Sequence, residues 1–328
     1  MSTSEATAAR QATAARGGGA RSGHSRRPLR SPWAYAFVLP ALAIFAVFTI
    51  FPTFFTFFIS TFKWNYLNVE QSQFIGLKNY HDMIGKNHSP SFLSTMGTSF
   101  YFVIAMVVVG TVLALALAML TRRATKVLVG VRTSLFLAHV APFVATSLVW
   151  IWIFNPRFGL ANFIPWVLEK LHIMNTASVD WLHNSATAMP SVIVYSLWHD
   201  LGFTTIVFIG GLTTISKDLS EAARLDGCNP WQEFFNVTLP QLRPFVVFVI
   251  VIGSISSLHA FTQFFMLTGG GPGYSTATLG FQLYQEAFVF HDTGYAAALA
   301  VVLFLITVVL SALQIRASRS VGRDATAQ

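Results

Sequence analysis

Six long apolar stretches, near 34–60, 97–121, 129–154, 188–213, 244–267 and 294–315, constrain this chain more than anything else in it. At about 1.5 Å of helix per residue, each can cross about 30 Å of hydrocarbon. Lipid offers no partner to a free backbone N–H or C=O, and a helix satisfies both internally. The expected fold is therefore all-α, a polytopic membrane protein with six transmembrane helices. Pro40 and Pro52 fall inside the first stretch, where neighbouring helices can satisfy the carbonyls they free. Only 10% of the 328 residues are charged, against about 25% in a soluble domain.

The basic residues orient the spans. Of the 21 Lys and Arg, sixteen fall on one side: Arg10 to Arg30 before span one, Arg122, Arg123, Lys126 and Arg132 around spans two and three, Lys217, Arg224 and Arg243 between spans four and five, and Arg316, Arg319 and Arg323 after span six. Five fall on the other: Lys63, Lys78, Lys86, Arg157 and Lys170. The positive-inside rule puts both termini and the 217–243 connection in the cytoplasm. The net charge of +8 is thus a topology signal with anionic lipid as its partner, and nothing interleaves aromatic and basic residues for nucleic acid. Residues 1–32, rich in Ala, Arg, Gly and Ser, read as a disordered basic tail. Arg26-Arg27 superficially resembles a twin-arginine signal, but the run after it is about twice as long as a signal core, so a retained first helix is expected. Residues 33–317 read as the membrane domain and 318–328 as a second tail. Cys228 is the only cysteine; it excludes a disulfide framework and reads as a reduced spectator thiol, and no Cys/His cluster has zinc spacing. No phosphate loop, zinc helix or nucleophile elbow is present, so neither enzyme activity nor a cofactor is expected.

Residues 221–240 form a polar island between spans four and five. Gly227 suits a left-handed helix end, Asn229 an N-cap, Pro230 a first helical position, and Gln232 completes a capping box. Pro240 is expected to stop the second helix. Trp231, Phe234 and Phe235 give that helix an apolar face, and Lys217 lies one turn before Glu221 as a possible partner. The island resembles the EAA loop of bacterial ABC importer permeases: Glu-Ala-Ala, three residues, Gly, nine residues, then Ile-x-Leu-Pro. Glu221, Ala222, Ala223, Gly227, Leu239 and Pro240 match, with Val237 in the Ile place. The 74–80 loop, the Phe154-Asn155-Pro156 turn and the Gly269–Gly273 stretch resemble carbohydrate-uptake permeases of that family. The Gly269–Gly273 stretch reads equally as an external turn or as a contact with a binding protein.

The resemblance implies a type I ABC importer permease in a bacterial inner membrane. It implies a second homologous permease, two copies of an ATPase and an extracytoplasmic solute-binding protein as partners. Glu221 would latch to a basic residue of the ATPase, Gly227 would form the turn, and Leu239-Pro240 would anchor into span five. A sugar or oligosaccharide is the leading substrate and a glycerol-phosphate-type solute the alternative. A proton-coupled secondary transporter or membrane-embedded enzyme, using His199, Asp200 and His259, also stays open.

Polar groups at membrane depth are costly and mark candidate sites. Span four offers Ser191, Tyr195 and His199 at i, i+4, i+8, with Asp200 adjacent; span five offers Ser256, His259 and Gln263. Such a set suits a neutral polyol, whose hydroxyls need donors and acceptors. Trp150, Trp152 and Trp198 could stack on sugar rings. If Tyr195, His199 and Gly202 face the path, Val194 and Leu201 point away. The His199–Asp200 pair is expected to diverge, since helix neighbours face different directions.

Overall fold

The computed structural model describes residues 32–65, 68–85, 89–122, 125–172 and 178–324. The readings placed on residues 1–31, Lys86, Arg123 and 325–328 lie outside these, as does part of the 155–187 connection. Residues up to Thr53 form one compact unit and Phe54 onward another.

In the first unit, helix α1 (Pro32–Phe45) runs through Pro40 into a wide turn, Ala46–Ile50; α2 (Phe51–Ile59) begins at the end of that unit and lies mostly in the second. The wide turn ends with Phe51 N–H donating five residues back to Ala46 O. A proline ring crowds the carbonyl one turn earlier, and the helix widens just before Pro52. Phe37, Leu39 and Phe48 are exposed, as lipid-facing side chains are.

In the second unit, Phe62–Lys63 (β1) and Gln73–Phe74 (β2) pair antiparallel. Buried Asn79, on α3 (Lys78–Ile84), ties that hairpin down by donating to Ser60 O at 2.8 Å and Phe62 O at 3.0 Å. The bundle follows: α4 (Phe92–Thr121), α5 (Lys126–Val140), α6 (Phe143–Ile153), α7 (Phe163–Lys170), α8 (Ser185–Thr213), α9 (Lys217–Leu225), α10 (Pro230–Glu233), α11 (Leu239–Leu258), α12 (Thr262–Leu267), α13 (Leu279–Tyr284) and α14 (Thr293–Asp324). Ser91, Thr125, Asn184 and Ser216 cap the starts of α4, α5, α8 and α9 by accepting backbone N–H bonds, the short polar side chains such starts prefer.

Among the described residues, four helices are long and apolar enough to cross a membrane, and two bent pairs bring the number to six if each pair is one span. The pairs are where the structure departs from uniform rods. Span three breaks by 107° between α5 and α6. The cause is Pro142: the residue before a proline is driven out of the helical region, and Ala141 sits extended at φ −69°, ψ 139°. Span five bends by 67° near Leu242. The last helix runs from Thr293 to Asp324.

Span two packs against spans four and five, α5 against α8, and α11 against α14. Large apolar side chains such as Val108, Val112 and Leu120 point outward, while Thr95, Ser99, Ser147 and Gln282 are buried. Lipid is as apolar as leucine, so helix association relies on small residues and hydrogen bonds. Gln282 donates to Pro90 O at 2.9 Å and accepts from Thr95 at 2.7 Å, and Leu279 N–H reaches Ser99 Oγ at 2.8 Å. These bonds fasten the α13 turn to span two.

Candidate functional site

The polar island folds as two short helices around a tight reversal. Helix α9 ends with Gly227 at φ +83°. Gly227 N–H donates to Arg224 O at 3.1 Å and Cys228 N–H to Ala223 O at 3.0 Å, the paired bonds of a Schellman end. Asn229 Oδ1 then accepts from Gln232 N–H at 2.9 Å, while Gln232 Oε1 accepts from Asn229 N–H at 2.8 Å, completing the expected capping box. Pro240 does not stop the chain. A wide turn, Phe234–Thr238, leads α10 directly into α11, with Pro240 in the first turn of α11. At that position a proline's missing N–H costs nothing.

Side-chain placement refines the island. Ala223 is buried, while Glu221, Ala222 and Pro240 are exposed and Leu239 is half-buried. Glu221 makes no ion pair with Lys217 or any other described residue. A pair that the sequence reading missed holds the knob together: Arg224 Nε donates to Glu233 Oε2 at 3.0 Å and Nη2 to Oε1 at 3.4 Å. Glu233 is 11% exposed and Arg224 59%. The Arg224 hydrogen bonds, opposed by burial, hold the Glu233 carboxyl below its usual range. That contribution to the fold is complete above the ordinary carboxylate value and is lost as pH falls through the lowered one. Leu225, Trp231 and Phe235 remain exposed on the knob. Its two stems meet at Gly211, where a Cβ would stand 2.7 Å from the Phe245 ring and 2.9 Å from Leu242. A push on the knob therefore reaches spans four and five together.

Within the bundle, spans two, four and five and the break in span three enclose a cavity of about 330 Å³, within the ~300–1,000 Å³ range of small-molecule sites. Asp200, Ser256, His259 and Gln263 line it. His259 Nδ1 donates to Ile255 O at 2.9 Å, leaving Nε2 as a lone pair. Gln263 is 6% exposed, and its amide bonds to no described residue. No Lys or Arg is among the lining residues.

Tyr195 and His199 do not line the cavity. Tyr195 is fully buried; its hydroxyl donates to Phe143 O at 3.0 Å and bonds Thr146 at 2.8 Å and Ser147 at 3.1 Å, bolting span four to α6. Ser191 donates to backbone carbonyls at Thr187 and Trp181. The face carrying Tyr195, His199 and Gly202 packs on span three, and the cavity face carries Leu197, Asp200, Leu201 and Thr204. Leu201 thus points where it was not expected. His199 and Asp200 also meet, Nδ1 to Oδ1 at 2.9 Å, because rotamers close the angle that their Cβ directions leave open. Trp150 and Trp198 pack on Tyr195, and Trp152 is exposed; none reaches the cavity. Gly269–Gly273 forms a self-bonded loop, with Thr276 Oγ1 donating to Gly271 O at 2.8 Å and Gly270 pressed on the Phe281 ring.

Comparison with known proteins agrees with this arrangement. Residues 37–323 match the family model of the binding-protein-dependent transport system inner membrane component. The chain is 33% identical over 287 residues to the probable ABC transporter permease protein YurN of Bacillus subtilis, covering 86% of this chain and 94% of that one. It is 30% identical over 249 residues to the sulfoquinovosyl glycerol transport system permease protein SmoG of Agrobacterium fabrum, covering 76% and 78%. Its fold matches a chain of a bacterial alginate ABC transporter in complex with an alginate pentasaccharide-bound periplasmic protein, with a TM-score of 0.75 at 20% identity over 88% of this chain and 94% of that one. A secondary transporter or membrane enzyme is set aside by the family match. Six apolar segments, a two-helix knob rooted in spans four and five, and a family model running almost end to end lead to one conclusion: the chain belongs to the binding-protein-dependent transport system inner membrane components, the non-enzymatic permease subunits of ABC transporters.

Proposed function

We propose that this subunit forms half of the pore of an importer for an uncharged sugar or oligosaccharide. The cavity carries this reading. Its polar groups, Asp200, Ser256, His259 and Gln263, offer both donors and acceptors, and no Lys or Arg is among its described lining residues to favour a phosphate. The resemblance to a sulfoquinovosyl glycerol permease supports the carbohydrate class and leaves the individual solute open. A solute-binding protein delivers the sugar, a second permease completes the pore, and two ATPase copies drive it. Glu221, exposed and in no ion pair with a described residue, is the charge offered to the ATPase; Ala222, Ala223, Gly227, Leu239 and Pro240 shape and root the knob that carries its stroke.

Uptake kinetics of the assembled transporter test the substrate path. An unpaired buried polar group costs about 1–3 kcal/mol, roughly fivefold to over a hundredfold in affinity. Gln263→Leu and Ser256→Ala are expected to raise the KM for the solute by such factors with assembly intact. Tyr195→Phe is expected to cost about 1 kcal/mol of stability, read as a lower melting temperature, and to leave KM unchanged, since its bonds run between helices. A KM shift for Tyr195→Phe with none for Gln263→Leu would move the path elsewhere.

Both termini and the knob are proposed to face the cytoplasm. In a Cys228→Ser background, a membrane-impermeant thiol reagent added outside is expected to label Phe158→Cys but not Phe235→Cys. Both sites are well exposed, unlike Ser275, whose hydroxyl is buried. The reverse labelling pattern would overturn the orientation.

A further inference from the structure

We propose that His139, His199 and Asp200 form a binding site for a divalent first-row transition ion, Zn²⁺ in particular, in the wall of the cavity at the break in span three. The inference is independent of the solute, since binding is read without one.

The hydrogen-bonding geometry points to it. With the hydrogen on Nε2, His199 donates to Ala141 O at 3.3 Å. In the neutral ring, Nδ1 is then a bare lone pair, yet it faces the Asp200 carboxylate at 2.9 Å. His139 Nδ1 lies 3.4 Å from the same oxygen and is buried without a hydrogen bond. Three groups able to donate an electron pair thus converge within 4.8 Å of one another, which places them around one point. A proton on either imidazole bridges only two of them. A metal ion accounts for all three.

A tetrahedral zinc with bonds of about 2.0–2.1 Å holds its ligand atoms about 3.4 Å apart; Asp200 Oδ1 lies 2.9 and 3.4 Å from the two Nδ1 atoms, and all three atoms lie within 4.8 Å, so the two rings would draw closer on binding. The His199 Nε2–H bond to Ala141 is the outer-shell contact that fixes a metal-binding tautomer. Both rings are held before any ion arrives: His199 stacks on Phe143 with centroids 3.8 Å apart, and His139 on Phe203 at 5.1 Å. His139 and Asp200 line the cavity, so an ion can enter, and a fourth position stays open. The ion would join α5 to α8 beside Ala141 and so stiffen the bend in span three.

The assembled transporter, stripped with a chelator and purified in detergent, is titrated with Zn²⁺ against a chromophoric competitor. One equivalent per copy of this chain is expected, with affinity falling by more than about a hundredfold in His139→Ala and Asp200→Asn, beyond what loss of an outer-shell partner costs. His183→Ala, altering an exposed histidine paired with Asp180, keeps the equivalent. Co²⁺ in the wild type is expected to show the visible absorption of a tetrahedral nitrogen–oxygen set, which needs no variant to fold. Equal zinc uptake by wild type and His139→Ala would overturn the proposal. So would a wild type that binds neither ion, which would make a proton the cation at this site.

Discussion

A Gly227→Pro variant is expected to insert in the membrane normally and to lose ATP-driven uptake. Gly227 sits at φ +83°, where proline, held near −65°, cannot go. The substitution also deletes the N–H that bonds Arg224 O at 3.1 Å, and with it the geometry that brings Cys228 N–H to Ala223 O. Together these exceed about 3 kcal/mol locally, the cost of proline in a helix interior. The second half of the knob, with Trp231 and Phe235, would leave its angle to α9. Gly227→Ala keeps the donor and costs about 1–2 kcal/mol of left-handed strain, so it is expected to retain partial uptake. Glu221→Lys tests the charge separately, because Glu221 forms no hydrogen bond or ion pair with a described residue and would lose only its longer-range attraction to Arg224. Solute-stimulated ATP turnover and uptake in reconstituted vesicles read all three, with membrane content as the control. Normal coupling in Gly227→Pro would remove the knob from the mechanism.

A Gly202→Val variant is expected to fail earlier, at assembly. A Cβ on Gly202 would fall inside the Leu135 carbonyl and 2.6 Å from Phe136 N, so it meets backbone that no rotamer can move. The two helices would have to part along the face that also carries His199 and Tyr195. Overpacking typically costs about 1–3 kcal/mol, and a backbone clash belongs at or above the top of that range. Gly210→Ala is the control: a Cβ there meets nothing within 4 Å, and alanine favours the helix by about 1 kcal/mol. The heated, detergent-solubilised protein is expected to aggregate far earlier for Gly202→Val and no earlier for Gly210→Ala. A wild-type melting temperature for Gly202→Val would mean that α5 and α8 can separate freely.

Hydrophobic runs and local punctuation made much of this protein legible. The six apolar stretches needed only length and composition. The knob's turn at Gly227 and its Asn229–Gln232 capping box were readable because every bond in them spans five residues or fewer. The break in span three was also written locally, in Pro142, and was passed over because the apolar run continues through it. The extended φ, ψ that proline forces on its predecessor was the available signal.

What the sequence determined by itself, then, is a six-segment membrane chain with a rigid two-helix knob, since burial in lipid and short-range backbone bonding are decided residue by residue. What only the tertiary structure decided is which side of each span meets which neighbour. Span four is covered on several sides, with polar residues on more than one of them, so spacing alone assigned Tyr195 and His199 to the cavity and Leu201 away from it. Packing against the broken span three reversed this, because Gly202 lets α5 approach and turns Asp200 toward the cavity. The Arg224–Glu233 pair likewise crosses the knob, nine residues apart. It exists only because a left-handed glycine folds one short helix back on the other.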